Sequence, residues 1–592
     1  MRRAVLPVVG LALVGTPLSV VAWLCLWLTV SGQMPGRTHT RRALFGLISL
    51  YGLTAAVLTA LALARWSCDP RALVAVALVA SLAWSAGAPG RPRAPLSDST
   101  DRWSIGCGVL TFAILWAPFW RASVGSTMAL LSQTTDAANH AQLLIAVGRQ
   151  HGYLSFDHPL GIAQGAQNYP AAWHGNVWVI SDTLLGSHPT FGASVRLVAV
   201  AGIASYSLLV ATCACAVLEL RPPGQRVRTL PALVALAGVG SATLLGFGIF
   251  FLQMASYTQV FALSAILLLV LLGIDGAISP NRTMVASFAC AVAAEQSWYL
   301  LTPLVLAALI LAVRRAQCAG RAVLSLGALA TPFLLFPLIT GPSATRQLSE
   351  IGPTLLPGPW GVVGLLVAGG AGCLLLLNKA CNHALVRGLV AVLAASLATL
   401  SALLAMQSLR PGTNVSYYGS KVLLSTLLIG CLLAAGLLYS AVNRPSGPAW
   451  IGATVGGLGM LIGSVSTAWI AIPPRTLGYE EQLSPKTLDA IFAKHPSGAP
   501  PGVESWVADG CDRRSDLIAT KWLVDLSLSW TPGLRADLDA YAIAPRGDAS
   551  MLLHRLANPR LTSLELFIHR VCDPTMLATL RSDPRVRVIH VP

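Results

Sequence analysis

The sequence predicts an all-α polytopic membrane protein, with about 13–14 transmembrane helices and a C-terminal extracytoplasmic α/β domain. Three observations predict it. Of 592 residues, 55% are hydrophobic and 11% charged, where a soluble domain carries roughly a quarter charged residues. Apolar runs long enough to cross a bilayer recur as far as about Trp469, which excludes a lone signal peptide. Beyond residue 473 the composition changes, and most of the Asp and Glu residues fall there.

In chain order the apolar segments are 5–30, 43–65, 72–88, 104–121, 196–219, 230–251, 257–274, 284–313, 322–341, 360–377, 388–407, 421–440 and 450–472. Segment 284–313 is long for one crossing and is interrupted by Glu295-Gln296-Ser297-Trp298, so it reads as two short helices. Residues 1–102 form accessory helices, 103–472 a transmembrane core with a large outer loop at 122–195, and 473–592 a soluble domain. In that domain LELFIH and VRVIHV read as strands, and 514–528 and 574–582 as helices.

Net charge is +16, but the arginines sit in short clusters between apolar runs: Arg37, Arg41 and Arg42; Arg91, Arg93 and Arg102; Arg221, Arg226 and Arg228; Arg314, Arg315 and Arg321. That pattern places these loops in the cytoplasm and needs no nucleic-acid partner. Loops 122–195, 342–359 and 408–420 and the C-terminal domain then face outward. Arg2 and Arg3 conflict with this scheme if segment 5–30 is a simple crossing. Of twelve cysteines, Cys511 and Cys572 lie in the hydrophilic region; a bridge between them suits an oxidising compartment, and two buried thiols are the alternative. Cys213 and Cys215 lack the spacing of a metal site.

The polar stretch 134–176 stands out from its oily surroundings. Asp136 opens an amphipathic run, Ala137 to Val147, and shares a helix face with His140; Asn139 is a further polar candidate for substrate binding. A carboxylate beside an imidazole suits proton abstraction from a sugar hydroxyl, or a divalent cation (Mg, Mn or Ca); a plain helix cap is the alternative role of Asp136. Tyr169, Trp173 and His174 suit either interfacial anchoring or sugar stacking and hydrogen bonding, and Asp157 and His158 form a further polar pair. Lys421, with Tyr417, Tyr418 and Arg410 upstream, is a cation at a helix N-terminus, where the dipole disfavours it. An anionic partner such as a lipid-linked phosphate explains that placement; snorkelling to headgroups is the alternative. Glu295, a carboxylate at membrane depth, is a site candidate by position.

The early acidic residue of a large outer loop, the D-x-x-x-H pattern running into Y-P-x-x-W-H, the paired short helices and the late Y-Y-x-x-K together resemble the GT-C superfamily of integral-membrane glycosyltransferases, most closely actinobacterial arabinofuranosyltransferase-like cell-wall enzymes. The resemblance covers roughly residues 103–472 and rests on short motifs. It implies transfer of a sugar from a polyprenyl-phosphate donor to a cell-envelope glycan or lipid acceptor, on the outer face of the plasma membrane. It also implies Asp136 as catalytic base, and Lys421 with Tyr417 and Tyr418 on the donor phosphate. Many members carry two adjacent acids, whereas Ala137 follows Asp136, which puts a metal-dependent mechanism in doubt. No phosphate-binding glycine loop for a nucleotide sugar is present. The competing expectations are a transporter or flippase of lipid-linked sugars and a non-catalytic cell-wall assembly protein.

Overall fold

The computed structural model describes residues 2–86, 95–131, 136–153, 171–185, 191–221, 227–246, 248–275, 280–316, 320–340, 381–408, 417–443, 485–494, 502–508, 513–527, 534–545, 547–559 and 561–591, with isolated positions 370, 375, 458, 459 and 462. It is mostly helical, and among the described residues nine helices are long and apolar enough to cross a membrane. Expected segments 360–377 and 450–472 lie, but for those isolated positions, outside the described residues.

The first apolar segment is not one crossing. It breaks into α1 (Arg2–Leu13) and α2 (Ser19–Gln33), with Gly15 at φ 81° in the turn between them. Gly10 lies against Cys25 and Leu78, so α1 folds back along α2 and packs on α4. The hairpin returns residue 2 towards the end where α2 finishes, which removes the conflict over Arg2 and Arg3. Next come α3 (His39–Leu63), α4 (Pro70–Ala86) and α5 (Ser99–Trp116), apolar beyond the charged first turns of α3 and α5. Trp66 and Trp120 follow α3 and α5 at one level and are 70% and 72% exposed, as expected of aromatic residues at a bilayer interface.

The polar stretch then supplies three shorter helices, α6 (Val124–Leu131), α7 (Asp136–Gln150) and α8 (Ala172–Leu185). Five more elements follow: α9 (Phe191–Leu218), α10 (Thr229–Gly240), α11 (Ile249–Gln253), α12 (Tyr257–Asp275) and α13 (Pro280–Ser297). Segment 230–251 was expected as one helix. Instead α10 widens into a π-turn at Ser241–Leu245 and stops, and the Tyr206 hydroxyl donates to the Thr243 carbonyl at 2.6 Å within that turn. Segment 284–313 divides as expected: α13 ends at Ser297, Trp298 is extended, and α14 (Thr302–Ala316) departs after one 3₁₀ turn. The bundle continues with α15 (Gly320–Thr340), α16 (His383–Ser408) and α17 (Tyr417–Asn443).

Charges gather at one end. Arg37 and Arg41 at the start of α3, Asp98 and Asp101 at the start of α5, and Glu219 and Arg221 just after α9 form one ion-pair cluster. Nearby, the Asn382 amide donates to the Leu220 carbonyl and Arg315 donates to the Ala384 carbonyl, so the basic loops meet on one side, as the arginine pattern requires.

The C-terminal domain begins with α18 (Pro485–Lys494) and holds a three-stranded parallel sheet in the order β1 (Val503–Val507), β2 (Ser563–Ile568), β3 (Val586–His590). Parallel strands need crossover connections. Helices α19 (Arg513–Ser527), α20 (Leu534–Ile543) and α21 (Ser550–Leu556) supply the first, and α22 (Pro574–Arg581) the second. The run read as alternating in β2 is buried almost throughout, because helices cover both faces of a parallel sheet. Cys572 is disulfide-bonded; its expected partner, Cys511, lies outside the described residues.

Candidate functional site

At the end opposite the arginines, three helix N-termini converge. Helix α7 forms from an alanine-rich run of good helix formers, with Asp136 in its first turn, where a carboxylate suits the dipole. Helix α17 begins at Tyr417, one turn earlier than its apolar run suggested, so Lys421 lies in its second turn rather than at its first residue. The Lys421 ammonium donates to Asp136 Oδ2 at 3.1 Å. Residues 285 positions apart thus meet. The Lys421 side chain is 7% exposed and that of Asp136 24%, so the pair is walled in on the lysine side and open on the carboxylate side.

The third N-terminus belongs to α12. Gln259, in its first turn, donates from Nε2 to the Lys421 carbonyl and to Ser425 Oγ, both at 2.7 Å, and so fixes α12 against α17. Each N-terminus presents the positive end of a dipole, which favours anions. A lysine in the same place adds to that positive field, and Asp136 offsets it.

Beneath the pair lies a buried aromatic layer. His140, one turn after Asp136, has Nε2 at 2.7 Å from the Ala255 carbonyl and Nδ1 at 2.9 Å from His174 Nε2. A carbonyl only accepts, so His140 carries its proton on Nε2, and its Nδ1 accepts from His174 Nε2–H; these tautomers are assigned from the partners. Burial pushes the His140 pKa down to about 4, with Asp136 pulling the other way. Burial, then the neighbouring His140, also holds His174 well below the usual histidine range. Both imidazoles are therefore neutral near pH 7. Trp173 packs over His140 at a ring separation of 5.6 Å and lies along Tyr257 at 5.8 Å, with its Nε1 donating to Ser205 Oγ at 3.0 Å. Ala255 itself sits at φ 46°, a left-handed backbone rarely adopted outside glycine; His140 holds its carbonyl in place.

This geometry revises several expectations. Trp173 is 1% and His174 0% exposed, so neither is an interfacial anchor nor a stacking platform for a sugar; the layer they form supports α7 from below. His140 does not act as a proton acceptor paired with Asp136, because its ring nitrogens face Ala255 and His174. Asn139 accepts from Lys521 of the C-terminal domain rather than facing open solvent. Tyr418 lies with its ring centroid 6.0 Å from the Lys421 ammonium, and Tyr417 opens α17. Glu295 is 1% exposed and lies at the α13–α14 junction, where it meets the Thr302 hydroxyl at 2.5 Å. Asp157, His158, Tyr169 and Arg410 lie outside the described residues.

Among the described residues, Lys421 is the charged partner of Asp136 where a divalent cation was expected. Any such ion would sit against the Lys421 ammonium, 3.1 Å from the carboxylate, and among the described residues no group of three or more His, Cys, Asp or Glu side chains could hold one.

The sequence reading missed Gln259, Ala255, Ser205 and Lys521. Only Lys521 carried a usable signal: the chain has five lysines among forty basic residues, and two of the five border α7. The sequence matches no protein-family model, and no curated protein matches it.

Proposed function

We propose that the chain is a membrane glycosyltransferase that moves a sugar from a polyprenyl-phosphate donor to a hydroxyl of a cell-envelope glycan or glycolipid at the outer face of the plasma membrane. The observation that carries this reading is the Asp136–Lys421 pair, set where three helix N-termini converge and open on the carboxylate side. Such a place suits a phosphate, because the cation and the helix dipoles both favour negative charge. The same place offers a carboxylate to an incoming hydroxyl.

In this reading the donor phosphate draws Lys421 to itself and leaves Asp136 free to accept the acceptor's hydroxyl proton. The acceptor oxygen attacks the anomeric carbon as the sugar–phosphate bond breaks. The polyprenyl phosphate departs with the electron pair, and Lys421 stabilises the charge that develops on it. Attack from the face opposite the leaving group inverts the anomeric centre. The neutral histidine layer takes no part in proton transfer and keeps α7 in register.

The ion-paired end, rich in arginine, fits a cytoplasmic face and so supports a reading with the site and the C-terminal domain outside. The test is transfer by the purified protein from a panel of radiolabelled decaprenyl-phosphate sugars. Wild type is expected to transfer one of them, while Asp136→Asn keeps its fold and its affinity for lipid phosphate yet loses turnover. Turnover retained by Asp136→Asn removes the reading, and lipid movement across vesicles without transfer replaces it with a flippase.

A further inference from the structure

The first turn of α7 is held from two sides by lysines. Lys421 reaches Asp136 from the membrane bundle, and Lys521 reaches Asn139 from the C-terminal domain. Asn139 follows Asp136 by three residues, so both lie on one helix face. Lys521 is itself fixed by Asp525, 3.0 Å away and 0% exposed. The contact is part of a broad docking. Ile518, Ala519, Trp522, Leu523 and Leu526 on α19 belong to the same continuous buried cluster as the bundle core, and Asp489 on α18 accepts the Gly125 amide of α6 at 2.7 Å. The domain's other core, around Trp506 and Tyr541, is separate.

We infer that the C-terminal domain is a fixed wall of the Asp136–Lys421 site, and that Lys521 is a positioning residue that holds the first turn of α7 through Asn139. The carboxylate of Asp136 then keeps its distance from Lys421 because α7 is clamped from above as well as from below. The effect on turnover rests on the glycosyltransferase reading; the clamp itself does not.

Three measurements on the full-length protein in nanodiscs test it. Hydrogen exchange in the peptide covering residues 136–147 is expected to rise at least tenfold in Lys521→Met, and equally in Asn139→Ala, which leaves the Lys521–Asp525 pair intact. Unchanged exchange in both variants overturns the clamp. Cysteines placed at 139 and 521 and treated with a bismaleimide cross-linker are expected to join the halves of a chain cleaved at a protease site inserted within 473–484; failure to join overturns the docked wall. With an active donor, Lys521→Met is expected to lower kcat at least tenfold with KM within twofold. A raised KM at unchanged kcat makes Lys521 a substrate ligand and overturns the positioning role. A wild type that transfers nothing removes the proposed function, while exchange and cross-linking still decide the clamp.

Discussion

Two ends of one bundle use the same chemistry to opposite effect. At the basic end Arg41 sits between Asp101 at 3.1 Å and Glu219 at 2.6 Å, and all three side chains are at most 3% exposed. Thr38 donates to Asp101 at 2.6 Å, and Arg37 and Arg221 complete the ring of Glu219. Arg41, Asp101 and Glu219 have opposite charge around them and little water, while Arg37 and Asp98, 34% and 26% exposed, form the edge of the cluster. At the other end Asp136 pairs with Lys421 and its side chain stays 24% exposed. A closed ion cluster ties three helix ends together. A half-open one leaves a carboxylate able to exchange partners, which is what proton transfer needs.

Asp136→Asn breaks the open end, and a loss of about 10³-fold in transfer rate is expected, within the range for removing a general base. Its melting temperature should stay near wild type; a large drop would make Asp136 a staple like Glu219. Glu219→Gln breaks the closed end by leaving Arg41 and Arg221 without their shared carboxylate. A stability loss of about 3 kcal/mol is expected, read as a lower melting temperature in detergent, with turnover at 25 °C unchanged. Lys421→Met sharpens the contrast, since binding of decaprenyl phosphate should weaken roughly 10–100-fold, the worth of one charged hydrogen bond.

Acidification gives the smallest effect. The folded His140 titrates at about 4 and an unfolded histidine near 6.5, so below 6.5 the unfolded chain binds a proton that the fold refuses. Stability is thus full above about 6.5 and falls as pH drops towards 4, by on the order of 1–2 kcal/mol at pH 5. The His174 shift has the same sign. Melting curves from pH 7 to 5 should show the decline, and His140→Phe should flatten it; a curve that rises on acidification contradicts the neutral layer.

Much of the fold was legible in the sequence because hydropathy and arginine placement act locally. The bilayer rewards each apolar run by itself, and Glu295–Trp298 announced the break between α13 and α14. The α1–α2 hairpin was hidden, since both arms are apolar and only Gly15 marks the turn. At the site, residue type singled out Asp136 and Lys421, while their meeting depends on bundle packing across 285 positions. Burial misled in the other direction: Trp173 and His174 have the composition of a binding surface but serve as its floor. The hydrogen bond from His140 to a main-chain carbonyl at Ala255 leaves no trace in side-chain identity.

The all-parallel sheet has a consequence for biogenesis. Strand β1 has no neighbour until β2 arrives some sixty residues later, and the docking helix α19 lies inside that first crossover. The lid over α7 therefore cannot be assembled piecemeal as the chain emerges. Completion of the wall beside Asp136 and Lys421 waits on the last stretch of polypeptide, after the apolar helices of the bundle have been made.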